Sequence, residues 1–492
     1  MKKLKEEQGV LTDDTPPPSK DIQDEASGFA KMLNKLRSEL RWRIHLVNGN
    51  RFIYRKTEMG YYETLTGPEN PKDTLRCKME IRSFFKNVPP SLIDNLFNAM
   101  MQDESRLMDG TEFVHSRTKG IPFLNGVFDL EHGYLRAYWE DDHYCDPIPH
   151  NFNSVVNKKD IRFFRRCLKD WVNAPNVQWM VDLCAYMLFV HPNVESIWCN
   201  PFGVGRNGKS VFIALLEAMM GKSKSIGINL SEINRHSSAS FIGKGLIVGR
   251  DSDQFVNKKG VSLIKNYSGD KYVTVEPKGG FQYDALVEGK MVVSTNYLIR
   301  CGDRSFGWYR RLLPIPFPNT FPQNDKFEHE LFSHISGIIS YLVARAYRYK
   351  CGKVSRLTER IPHDIQALRT DTQFTNDRIA AYWSLKFFDD DSQPVIDEFL
   401  KLHKQKISCA WENFRLWHRE YFGEDEKIEP GRNTFCGASG GFMEKSGVYF
   451  TSKRTREGRQ LFLHDHVYEQ FTAPDPKEQL DIDDDNPFLP EK

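Results

Sequence analysis

Cysteine is sparse in this chain and badly placed for metal or redox chemistry. The nine (Cys77, Cys145, Cys167, Cys184, Cys199, Cys301, Cys351, Cys409 and Cys436) never come closer than fifteen residues apart. With no Cys-x-x-Cys pair there is neither a zinc ribbon nor a dithiol centre. An odd, scattered set reads as free thiols in a reducing compartment. Long apolar runs are missing too: none approaches the roughly 20 uncharged residues a membrane helix needs. The opening MKKLKEEQGV is charged where a signal peptide would be apolar. The expectation is a soluble cytoplasmic protein with no membrane partner. Charge of one sign is scarce as well, 68 Lys+Arg against 66 Asp+Glu for a net of +2. Residues 472–492 mask part of this, with seven acids and two lysines (net −5), which leaves +7 on the rest. That is mildly basic, and too little to announce a nucleic-acid binder by itself. No internal repeat is visible.

What is present is 492 residues, 40% apolar and 13% aromatic, a globular profile long enough for about three domains. Residues 1–28 are polar, with three prolines in a row, and read as a disordered tail. Residues 29–190 read as an N-terminal α+β and helical collar region. In it, residues 46–55 and 61–65 alternate like a hairpin around Gly60, and helical periodicity covers 90–101 and 160–189. Residues 191–325 alternate short apolar runs (196–202, 245–248, 291–294, 312–317) with helical segments, the pattern of an α/β nucleotide-binding core. A helical connection, 326–408, leads to a compact module at 409–471 with one helix and two strand-like runs. Residues 472–492 read as an acidic disordered tail.

The most informative string is GVGRNGKS, residues 203–210, which satisfies G-x-x-x-x-G-K-[S/T]. Gly203, Gly205 and Gly208 allow positive φ, so the backbone N–H groups through Arg206 and Asn207 can close around a polyphosphate. A helix starting near Gly208 would point its N-terminus at the anion. Lys209 would neutralise the β- and γ-phosphates, and the Ser210 hydroxyl would ligate Mg²⁺. Pro201 sits awkwardly, since a central strand should not end in proline so close to the loop.

A phosphate loop does not say what the nucleotide is for. Hydrolysis also needs a carboxylate at the end of a second strand to help hold Mg²⁺ and activate water. The apolar run 246–248 delivers Asp251, the first choice, and Asp253, the second. A third run, 291–296, ends in Asn296, an amide suited to orienting water or the γ-phosphate. Arg310 and Arg311 follow; an arginine there could reach a neighbouring subunit's γ-phosphate, although such a pair is more often a solvated surface. Before the acidic tail, residues 451–459 carry Lys453, Arg454, Arg456 and Arg459, four cations at a strand turn that suit a phosphate backbone.

The ordered set GVGRNGKS, GKGLIVGRD (243–251), SLIKNYSGD (262–270), VVSTN (292–296) and DRSFGWYRRLLPIPF (303–317) resembles the superfamily 3 helicases. Within them it is most similar to the phage, satellite-phage and poxvirus primase-helicase branch. IPFLNGVFDLEHGYL (121–135) resembles the segment that precedes the ATPase there, and the module from Ala410 resembles its C-terminal winged helix. The resemblance covers residues 30–470 and implies an AAA+ P-loop NTPase core flanked by an α+β N-terminal region and a winged-helix domain. It implies that Lys209 and Ser210 bind ATP-Mg, that Asp251 is the second-strand carboxylate, and that Asn296 is the sensor amide. Arg311, or less well Arg310, becomes the finger acting between subunits. The family's DNA-contacting hairpin falls at 273–281, with Lys278 at its tip. The family usually places Glu, or two acids, directly after the second strand. Here Asp251 follows Gly249-Arg250, so the choice between Asp251 and Asp253 stays open.

The implied activity is a ring-forming, hexameric ATP-dependent DNA helicase in the replication of a phage or mobile element, working in the host cytoplasm. Its substrates would be single-stranded and forked DNA, with a single-strand-binding protein, a primase or a polymerase as further partners. No zinc spacing or two-metal acidic cluster for primer synthesis precedes Gly203. The rival reading is an origin-binding initiator that uses ATP only as an assembly switch. LDIDDDNPF (480–488) resembles the tip of bacterial single-strand-binding proteins, but four residues follow the Phe, so it reads as a solvating tail.

Overall fold

A computed structural model describes residues 20–473 apart from 68–72, 86, 109–117, 156, 192, 231–236, 254, 271, 304, 390, 425–426, 429–430 and 438–441. At its centre the chain runs through Trp198–Phe202 (β1), Lys209–Met220 (α1), Ser225–Gly227 (β2), Leu246–Gly249 (β3), Lys258–Gly269 (α2), Lys290–Val293 (β4) and Leu312–Pro316 (β5). These strands form one five-stranded sheet in the order β5-β1-β4-β3-β2, and every neighbouring pair is parallel. The fold is therefore mixed α/β around a parallel sheet. Every residue of β3 and β4 is buried, as expected of short apolar strands covered on both faces.

Pro201 is accommodated inside β1. Its carbonyl accepts from the Thr295 N–H at 3.1 Å on one side, while Ile315 of β5 pairs with it on the other. Pro314 and Pro316 lie on β5, the edge strand, where missing donors matter least. β2 carries no apolar signal in its Ser-Ile-Gly sequence; it is recruited by parallel pairing of Ser225 with Leu246.

The packing divides the chain differently from the composition. The helix Lys20–Glu39 includes residues 20–28 of the expected disordered tail; residues 1–19 and 474–492 lie outside the description. The stretch expected as one hairpin strand, 46–55, is broken at Asn48-Gly49 into strands Trp42–Val47 and Asn50–Lys56, with φ of 45° and 77° at the two turn residues. Asn-Gly is the strongest short hairpin signal, because both central residues must be left-handed. These strands, with Tyr62–Thr64 and Leu107–Met108, make a four-stranded N-terminal sheet. One face buries Trp42, Ile44 and Ile53 against helices through Leu36, Ile81, Leu96 and Met100. From the other face, Phe52 enters the core beside the central sheet.

The periodicity at 160–189 predicts one helical run; the structure breaks it at Asn173–Asn176 into Lys158–Trp171 and Val177–Phe189. Both helices belong to the central core. Phe164, Trp171 and Met187 share a cluster with Phe212 and Leu215 of α1 and with Ile338 and Leu342. Helices Arg378–Phe387 and Ile396–Leu402, expected in the 326–408 connection, instead build the C-terminal core. There Tyr382 and Phe399 pack with Phe414, Phe450 and Leu461. Amphipathic faces leave no mark of which neighbour they will cover, so composition does not reveal these boundaries. Among the described residues no helix is long and apolar enough to cross a membrane.

Lys290, the first residue of β4, is 2% exposed. Its ammonium donates to the Val190 carbonyl and lies 5.2 Å from the Tyr186 ring centroid, tying the sheet to helix Val177–Phe189. Burial, partly opposed by Glu288, pushes its pKa from 10.5 down to about 7. The unfolded chain then holds a proton that the folded chain lacks between those values, so this group adds stability as pH rises above 7. Wild type should gain on the order of 2 kcal/mol over Lys290→Met between pH 7 and pH 9, read by urea unfolding at each pH. A difference independent of pH would show the ammonium to be unperturbed.

Candidate functional site

In the sheet, β1 lies between β4 and β5. The chain leaves β1 for the far edge, returns through β3 and β4, and then passes β1 to place β5 on its other side. Such a switch point opens a crevice at the C-terminal strand ends, where ligands of open α/β sheets bind. The loop 203–210 leaves β1 at that end.

Its glycines are required by their surroundings. Gly203 has φ +149°, and a Cβ there would collide with Asn207 Nδ2 and stand 2.5 Å from the Phe317 carbonyl oxygen. Gly208 has φ +87°, and a Cβ would meet the Trp171 ring at 2.5 Å. Gly205 faces open space. Between them, Arg206 is also left-handed at φ 54°, and its carbonyl accepts from the Phe321 N–H at 2.8 Å. Gly208 begins α1 with no side-chain cap, so the first N–H groups of the helix are left for another acceptor. Ser210 is exposed in its first turn.

Lys209 is only 3% exposed. Its ammonium donates to the Gly203 carbonyl, and to Asn207 Oδ1 at 3.1 Å and Asn296 Oδ1 at 3.5 Å. Asn207 in turn donates to the Phe317 carbonyl at 3.2 Å, fixing the loop to the residue after β5. Burial lowers the Lys209 pKa, and the Asp251 carboxylate works against that fall. The Asp251 carboxylate thus acts on Lys209. It sits at φ 43°, with its N–H on Ser294 Oγ at 3.1 Å, so the ends of β3 and β4 are laced together. Asp253 follows two residues on, exposed. Asn296 follows Thr295, whose buried hydroxyl donates to the Tyr297 carbonyl at 2.7 Å and accepts from Asn200 at 3.0 Å. The structure brings Lys209, Asp251 and Asn296 to one place from the ends of three strands.

Arg310 and Arg311 are not brought there. They precede β5, whose Leu312 pairs with Trp198 at the start of β1. They therefore lie at the opposite end of the sheet, a strand length of about 15 Å away. Arg311 is half-buried, donates to the Gly307 carbonyl and lies against Gly269. Burial and Arg310 lower its pKa, while Asp270 opposes them. Arg310 is exposed.

Lys278 is exposed at the tip of an antiparallel hairpin, Tyr272–Val275 with Tyr283–Leu286. The Gly280 N–H bonds to the Pro277 carbonyl at 3.0 Å, and Gly279 takes φ +71°, the left-handed third position of a type II turn. Lys453 and Arg454 are exposed on strand Phe450–Thr455, which pairs with Gly458–Leu463 in the C-terminal hairpin, and Arg456 is exposed at the turn between them. Lys453 stands 5.4 Å from the Phe462 ring. Sequence reasoning missed Trp171, Phe317 and Phe321, which wall and brace the loop; no local signal marks them. Among the described residues no group of three or more His, Cys, Asp or Glu side chains could hold a metal ion.

Residues 202–311 match the model of a family of unknown function (DUF5906). The match spans the loop, Asp251, the Lys278 hairpin, Asn296 and both arginines. Among curated proteins, none matches. The chain is similar to solved apo structures of the NrS-1 C-terminal region. One has 9% identity and a TM-score of 0.48, covering 88% of this chain and 98% of that one. A second has 11% identity and a TM-score of 0.45, with the same coverage.

The loop's surroundings rank its glycines. Gly208→Ala and Gly203→Ala combine left-handed or otherwise Gly-only backbone with a clash, and should each destabilise by about 2–4 kcal/mol. Gly205→Ala should cost about 1 kcal/mol. Urea denaturation of the three variants would check this, and equal costs would contradict the walls described.

Proposed function

We propose that this chain is an ATP-driven DNA helicase of the superfamily 3 type, with an AAA+ core and a C-terminal winged helix, working as a hexameric ring in the replication of a phage or mobile element. The observation that carries the reading is the convergence of Lys209, Asp251 and Asn296 at the C-terminal ends of β1, β3 and β4, above a helix whose N-terminus is uncapped. The DNA-facing part is the Lys278 hairpin, which leads directly into β4.

In this reading the loop's N–H groups and Lys209 hold the triphosphate of ATP. The desolvated ammonium meets phosphate charge in a setting where that attraction is strong. Asp251 accepts the proton of the attacking water, and Asn296 orients that water or the γ-phosphate. The oxygen donors here, the Ser210 hydroxyl and the Asp251 carboxylate acting through water, suit Mg²⁺, which would neutralise charge developing on the β- and γ-oxygens. Arg310 and Arg311, at the far end of the sheet, reach the γ-phosphate only of a neighbouring copy. The exposed Arg310 is at least as well placed for this as Arg311. Along the strand, Lys278 grips a phosphate of single-stranded DNA, and Lys453, Arg454 and Arg456 lie on the duplex backbone.

Lys209→Ala should abolish ATP turnover and strand displacement on forked DNA while leaving the circular dichroism spectrum unchanged; retained unwinding would end the motor reading. ATP turnover that single-stranded DNA does not stimulate, without unwinding by wild type, would favour the origin-binding initiator instead. Arg310→Ala or Arg311→Ala subunits titrated into wild type should depress ATPase more than in proportion to their fraction. The full effect of a lost finger is about 10³ to 10⁵ in rate. Simple additivity would argue against action between subunits.

A further inference from the structure

The Lys278 hairpin does not stand alone. Its descending limb is held by the Asn48-Gly49 turn of the N-terminal sheet, more than two hundred residues earlier in the chain. Asn50, 3% exposed, brackets the main chain of Phe281. The Phe281 N–H donates to Asn50 Oδ1 at 3.0 Å, and Asn50 Nδ2 donates to the Phe281 carbonyl at 2.8 Å. Asn48 Nδ2 adds a bond to the Gln282 carbonyl at 3.1 Å. Below them, the Phe52 and Tyr283 rings pack 5.7 Å apart between the two units. One amide thus satisfies both polar groups of the Phe281 backbone, as a neighbouring strand would.

What this fixes is an aromatic ring in solvent. Phe281 is 66% exposed. One side of its ring lies against Gly49, where a Cβ would come within 3.0 Å. Just before it in the chain, Lys278 is exposed at the turn. A main chain held at both polar groups, an open phenyl and an adjacent ammonium together match a nucleotide: a base to stack and a phosphate to pair. Because the backbone is already ordered, binding loses little further entropy there.

Building on the helicase reading, we propose that Phe281 is a base-stacking platform for single-stranded DNA and that Asn50 is its positioning residue. The N-terminal sheet then takes part in the grip by aiming the ring, without touching DNA itself.

The test uses the full chain with a non-hydrolysable ATP analogue and two fluorescent oligonucleotides of equal length, one of thymidylates and one abasic, read by anisotropy. Phe281→Ala should weaken binding of the thymidylate strand about fivefold to 150-fold and leave the abasic strand unchanged. Phe281→Trp should keep the preference for bases. Asn50→Ala should lose the same preference with its salt dependence intact. Lys278→Ala should weaken both strands equally and lower the salt slope by about 0.7. If Lys278→Ala behaves so but Phe281→Ala binds both strands as wild type does, the stacking proposal is overturned and the helicase reading survives. The stacking proposal falls equally if Phe281→Ala changes only the oligomeric state. Failure of wild type to bind either strand would instead overturn the helicase reading itself.

Discussion

The centre of this molecule is a cation buried, among the described residues, without a carboxylate in contact. Lys209 is almost fully enclosed, and the groups that touch its ammonium are a backbone carbonyl and two side-chain amides. Carbonyl oxygens compensate part of the lost hydration, but an ammonium in such a setting keeps a strong pull on any anion that can approach. The surroundings maintain that arrangement. Trp171 closes the loop from behind, which leaves no room for a side chain at Gly208. The carbonyl of Phe317 anchors Asn207, and Phe321 holds Arg206. These contacts hold the loop around the ammonium, and under the proposed reading its pull draws a triphosphate.

From this point one strand, β4, joins the loop to the Lys278 hairpin. Asn296 lies just past one end of β4, beside Lys209. The descending limb of the Lys278 hairpin enters the other end through 287–289. Lys290 anchors that entry to the helix Val177–Phe189, and the turn at Asn48-Gly49 braces the hairpin from outside. A strand buried at every position transmits displacement without absorbing it, because close-packed interiors compress little. Under the proposed reading, a change at the γ-phosphate that moves Asn296 is therefore felt at the hairpin.

Much of this is legible in the sequence, for reasons visible in particular residues. The loop motif, the four longer apolar strands and the helix Pro90–Met101 all carry local signals, and each appears within a few residues of its expected place. What is not legible depends on distant partners. β2 is a strand only because β3 offers it an edge. Trp171 matters to the phosphate loop only because its helix folds back onto α1. That Asp251 lies near enough to act on Lys209 depends on how the ends of β1 and β3 meet, and no spacing rule contains that. Asn48-Gly49 is a different kind of miss. Its turn signal is local and strong, but the residues on both sides alternate as one strand would, which hides the break.

Under the proposed reading, the position of Arg310 and Arg311 ties the reaction to an oligomer. Triphosphate hydrolysis develops negative charge on the phosphate oxygens, and in other NTPases an arginine adds to the lysine and Mg²⁺ in stabilising it. The two arginines read as the finger, Arg310 and Arg311, lie a strand length away within one chain, on the far side of a packed sheet. No side-chain rotation spans about 15 Å. Arg311 is moreover engaged with its own backbone at Gly307, while Arg310 faces outward. Under the proposed reading, a head-to-tail neighbour with its phosphate loop set against this end of the sheet brings an arginine within reach. A heterologous contact of that kind repeats, and closes into a ring where its rotation allows, so under the proposed reading the finger and the ring would share one interface.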